Sequence, residues 1–155
     1  MATPSKNLYD TDFAKWRTAT AKLIRSGRFD AIDVAHLAEE VEDLGKSEKR
    51  ELESRLAGII EHLLKLKLTT GQMLEQNRRG WLASVLRQQS ELEGLFKDSP
   101  SLRAGLTAAL LQRCYRRAVV DVTREYDIKP AHRCPFQWAE VLPPAKKAAP
   151  KKRKK

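Results

Sequence analysis

The sequence predicts an all-α fold: a single domain of five to six helices packed as an irregular bundle, followed by a disordered basic C-terminal tail. Three observations predict it. Apolar residues recur at steps of three and four through most of the chain, the spacing of one face of an α-helix. No segment of useful length alternates apolar and polar residues as a strand would, and no internal repeat is present. Basic residues crowd into residues 143–155, PPAKKAAPKKRKK, which carry seven cations, no acid and too little apolar surface to order themselves. The expected organisation is an all-α domain over residues 1–142 and a tail over residues 143–155.

Each element follows from local chemistry. Asp10 or Thr11 is placed to cap a first helix, whose apolar edge is Phe13, Trp16, Leu23 and Ile24 with the small Ala19 and Thr20 between. Ser26-Gly27-Arg28 ends it, because glycine takes the left-handed C-terminal turn at little cost. Asp33 then caps the longest pattern, in which Leu37, Val41, Leu44, Leu52, Leu56, Ile59, Ile60, Leu63 and Leu66 share one side. Gly45 interrupts it. A glycine inside a helix costs about 1 kcal/mol relative to alanine, so a kink or short break is expected there, with Ser47 as a second cap. Lys67 falls on the apolar side and sets the end of the packed part near Leu66, before Thr69-Thr70-Gly71 stop the helix.

A further helix carries Leu74, Trp81, Val85, Leu92 and Phe96. Asp98-Ser99-Pro100-Ser101 reads as a turn and helix start, because proline suits the first helical position. Leu102, Leu106, Leu110, Cys114, Ala118 and Val122 continue at steps of four until Ile128-Lys129-Pro130. Cys134-Pro135-Phe136 opens a short last segment anchored by Trp138, Val141 and Leu142.

A chain of 155 residues is long enough to bury a core without staples. Its two cysteines, Cys114 and Cys134, make neither a disulfide framework nor a zinc quartet and read as reduced thiols. No apolar run approaches the ~18 residues of a membrane span, and MATPSKNLYDTDF lacks the apolar core of a secretory signal. A cytoplasmic protein without a membrane partner is expected. The formal net charge of +10 divides unevenly. Without the seven tail cations, 23 Lys and Arg face 20 Asp and Glu in residues 1–142, a net of +3. Lys146, Lys147, Lys151, Lys152, Arg153, Lys154 and Lys155 are therefore the candidate contacts to nucleic acid or another polyanion. If all met phosphates on a duplex, the log–log salt slope would approach about −6.

Candidate chemistry is sparse. On ideal helix geometry His36, Glu39, Glu40 and Asp43 fall within about 100° of one another, which suits a divalent cation or acid–base work. The solvated face of an amphipathic helix accounts for the same pattern. Glu39, Glu40, Asp43 and His62 are the catalytic candidates, and Glu40, Asp43 and His36 the metal-ligand candidates. His62 flanks the apolar side near Leu66, where a hydrogen bond to an acid of a facing helix is the simpler role. Gly45-Lys46-Ser47 imitates the end of a P-loop but lacks its leading glycine and follows a helix rather than a strand. No cofactor motif is present. Arg78-Arg79, and Arg113, Arg116 and Arg117, are candidate basic patches or simply solvated flanks.

Several motifs taken together resemble a known family. The order Leu8-Tyr9-Asp10-x-Asp12-Phe13-x-x-Trp16, Gly27-Arg28-Phe29-Asp30, Leu37-x-Glu39-Glu40-x-Glu42-x-Leu44-Gly45 and His62-Leu63-Leu64-Lys65 is similar to that of a bacterial domain-of-unknown-function family, number 29. Trp81, Asp98-Ser99-Pro100-Ser101-Leu102, Tyr115, Cys134-Pro135-Phe136 and Val141-Leu142 extend the likeness over residues 8–142. The chain departs from the pattern at Trp138, where a smaller residue is usual, and in its lysine tail. The resemblance implies a small all-α protein and no activity. The expected function is a non-enzymatic binding or regulatory module whose tail adds unspecific polyanion affinity. The alternatives are a metal-dependent hydrolase built on the acidic cluster and His62, and an interaction or homo-oligomerisation domain with an apolar face near Trp81 and Trp138.

Overall fold

A computed structural model of the protein describes residues 4–144. These form six α-helices and two 3-10 helices, with no strand among the described residues. The expected all-α class is the observed one. The tail cations from Lys146 onward lie outside the described residues. The chain packs as two compact units that meet in sequence at Glu48 and Lys49.

The first unit holds α1 (Pro4–Thr11), α2 (Phe13–Arg25), a 3-10 turn (Phe29–Ala31) and the start of α3 (Val34–Leu68). The α1 helix was not expected. It ends because Asp12, at φ −152°, leaves the helical region and caps α2 by accepting the Lys15 N–H at 3.0 Å. The cap is thus Asp12 rather than Asp10 or Thr11. Gly27, at φ +71°, closes α2 as the sequence indicates, with Arg28 N–H bonded back to the Leu23 carbonyl at 3.0 Å. Trp16 and Thr20 are buried here, whereas Phe13 and Ile24 stay exposed.

The expected break at Gly45 does not occur: α3 runs unbroken through 35 residues. Beyond the local helix backbone nothing lies within 4 Å of where a Gly45 side chain would begin, so the glycine is a weak point of helix propensity. Nor do Val41 and Leu44 pack. They are 60% and 69% exposed, and the first turns of α3 are covered instead on the side of Asp33, His36 and Glu40.

The second unit holds the rest of α3, α4 (Gly71–Asp98), a 3-10 helix (Pro100–Gly105), α5 (Ala108–Glu125) and α6 (Trp138–Val141). Gly71, at φ +61°, turns the chain from α3 into α4 within a few residues. Pro100 opens a 3-10 helix and not the long helix expected; the Thr107 hydroxyl accepts the Leu110 N–H at 3.2 Å and starts α5 afresh. One aliphatic core joins Leu52, Leu56, Ile59 and Ile60 of α3 to Val85, Leu92 and Phe96 of α4 and to Leu110, Cys114, Ala118 and Val122 of α5. Phe136 and Val141 close it. Trp81 is 7% exposed and packs edge-on to Tyr126, so it offers no free apolar face.

Candidate functional site

Asp33, just before α3, and His36 and Glu40 of its first turns stand about one and two turns apart on one side. Asp33 is buried, and one of its carboxylate oxygens lies 2.7 Å from His36 Nδ1. The other receives the His36 backbone N–H at 3.5 Å, a long contact at the expected cap. Tyr9 of α1 stacks on the His36 ring, with centroids 3.9 Å apart, and donates its hydroxyl proton to Glu40 Oε1 at 2.7 Å. Trp16 meets Tyr9 edge-on at 5.0 Å. The cluster therefore pins α1 to α3 through paired polar groups.

Its electrostatics follow from those pairs. The Asp33 carboxylate raises the His36 pKa against the opposing effect of burial. Accepting the Tyr9 hydroxyl, Glu40 pushes the phenol pKa up to about 12, because a phenolate would face a carboxylate. Glu40 is thus occupied by a tyrosine and His36 by an aspartate. Asp43 lies apart, exposed and 2.8 Å from Lys46, and Glu39 is exposed. Among the described residues no three of His, Cys, Asp and Glu come together to hold a metal ion.

His62 lies on the same helix, in the second unit. The expected hydrogen bond from its ring to a facing acid is not made by Nδ1, which is buried without a partner among the described residues. Burial lowers the His62 pKa. The acids near it bind Lys65 instead: Lys65 Nζ donates to Glu61 at 2.7 Å and to Glu125 of α5 at 2.9 Å. Burial opposes the Lys65 charge, but the two carboxylates outweigh it and raise the ammonium pKa. Sequence reasoning placed Lys67, not Lys65, on the covered side. The signal was present, since Lys65 follows Glu61 by one helical turn.

A concavity lies elsewhere in the second unit. The segment after α5 folds back along that helix and leaves a groove of about 870 Å3. Its apolar lining is Val119, Val120, Pro130 and Ala131; its charged or titratable lining is Arg116, His132 and Arg133, with no carboxylate. Two α5 side chains hold the segment in place. The Tyr115 hydroxyl donates to the Ala131 carbonyl, and Gln112 both donates to the His132 carbonyl at 3.3 Å and accepts the Cys134 N–H at 3.0 Å. Of the basic residues singled out on α5, Arg113 is paired with Glu53 at 2.7 Å, while Arg116 borders the groove.

A family model described as domain of unknown function DUF29 matches residues 8–145. The chain belongs to the DUF29 family. No curated protein and no solved structure matches it. The DUF29 match spans both the Tyr9–His36–Glu40 cluster and the groove along α5. No helix among the described residues is long and apolar enough to cross a membrane.

Proposed function

We propose that this DUF29 chain is a non-enzymatic helical binding or regulatory module whose basic tail confers unspecific affinity for nucleic acid or another polyanion. The observation that carries the reading is the division of charge: seven cations and no acid in residues 143–155, against a net of only +3 in residues 1–142. Cations so concentrated release counterions from a phosphate backbone without reading sequence.

The test compares the full chain with a variant whose seven tail cations are changed to Gln. Binding to labelled DNA and RNA is followed across a salt series. The expected result is unspecific binding whose salt slope, up to about −6, collapses in the variant. Equal binding by both proteins, or none by either at low salt, ends this reading.

A further inference from the structure

We infer that the groove between α5 and residues 130–133 is a docking site for an acidic, apolar peptide segment of a partner protein. The inference deepens the binding-module reading and rests on it. Its basis is the pairing of two surface chemistries in one place. Val120 is 48% exposed and lies beside Val119 and Pro130 in the groove, so the apolar surface there is a contiguous patch and not a lone side chain. Arg116 and Arg133 line the same groove, are exposed, and make no ion pair among the described residues. With no carboxylate in the lining, these guanidinium groups present donors that a ligand carboxylate satisfies in a fork geometry. Apolar contact flanked by arginine is the usual make-up of a protein-binding surface.

The groove is also held open by its own framework. Tyr115 and Gln112 anchor the backbone of residues 131–134 to α5, so a ligand meets a preformed surface and does not have to order it. The lining disfavours a nucleic acid. Single-stranded bases stack on exposed rings; of the two rings in the lining, Tyr115 is 1% exposed with its hydroxyl engaged, which leaves the single His132 imidazole and no run of rings for successive bases. The lysine tail of the chain itself is excluded by charge.

The test separates groove from tail. Random displayed peptides of about 12 residues are selected, at about 150 mM salt, on the full chain with its seven tail cations changed to Gln. Recovered peptides are synthesised with a fluorophore and titrated by anisotropy. The expected sequences combine Asp or Glu with Leu, Ile, Val or Phe. Arg116→Glu, Arg133→Glu and Val120→Asp should each weaken their binding about tenfold or more. All three sites are solvent-exposed, and unchanged circular dichroism shows that the fold is kept. The inference is overturned if selection yields no enriched sequence or basic ones, or if recovered peptides bind the three variants as they bind the parent. A labelled single-stranded oligonucleotide is run beside them. If it displaces the peptide and is itself lost in Arg116→Glu, the groove is a nucleic-acid site and the inference fails. Oligonucleotide binding that depends only on the tail cations leaves the inference standing and upholds the polyanion reading separately.

Discussion

The two units close their helices by different chemistry. From residue 49 onward, α3, α4 and α5 interdigitate aliphatic side chains, and Leu56, Ile59, Ile60, Leu92 and Val122 are wholly buried. Before it, the described buried side chains are Trp16, Thr20 and Asp33, and cohesion comes from ring stacking and from carboxylates paired with Tyr9 and His36. Phe29, Val34, Val41 and Leu44 remain exposed there. A single helix, α3, serves both regimes. An unbroken helix thus does not guarantee one continuous buried face, because what is buried depends on what is there to cover it.

Four measurements would break or sharpen this contrast. The largest effect is expected from truncating equivalent-looking residues in the two parts of α3. Leu56→Ala should cost about 2–5 kcal/mol in urea unfolding, whereas Val41→Ala should stay within about 0.5 kcal/mol. Comparable losses would mean that Val41 is covered after all. Next, Lys65→Met leaves Glu61 and Glu125 facing each other without their shared cation. The expected cost is about 2 kcal/mol, below that of a fully buried pair because Glu125 reaches water. A neutral outcome would reduce Lys65 to an apolar stem.

Gly45→Ala is expected to stabilise by about 1 kcal/mol, since the helix is continuous there and the added methyl meets open space. Destabilisation would mean that the backbone at Gly45 needs the freedom of a glycine. The smallest effect is electrostatic. His36 and His62 should titrate on opposite sides of the ordinary value of 6.5 in NMR, His36 above and His62 below. Asp33→Asn should bring His36 back down. The stability consequences are opposite in sign. The His36 pair contributes fully below the unfolded value of 6.5 and is lost as pH rises through the raised folded pKa. His62 is stably held when neutral, and that contribution is lost as pH falls from 6.5 through its lowered folded pKa. Shifts of the same sign would erase the distinction between the two environments.

Most of the helices were legible because caps and apolar periodicity are local. Asp33, Gly27 and the Leu52–Leu56–Ile59–Ile60 stripe behave as their immediate neighbours dictate. The acidic cluster was legible only as a pattern. Of its members only His36 and Glu40 share the covered cluster, with Asp33 and Tyr9 as their partners, and that outcome depends on α1, which periodicity does not reveal. The groove was less visible still, since Arg116 looks like any solvated arginine until residues 130–133 return beside it.

The sequence by itself determined the helical class, the core stripes of α3, α4 and α5, and the uneven placement of charge, because each arises within a few turns of chain. Only the tertiary structure decided that Tyr9 covers the polar side of α3, that Lys65 is buried between Glu61 and Glu125, and that α5 and residues 130–133 enclose a cationic groove. Those outcomes rest on contacts between residues 16 to 60 positions apart, and no local periodicity encodes which distant side chain arrives to satisfy a buried charge.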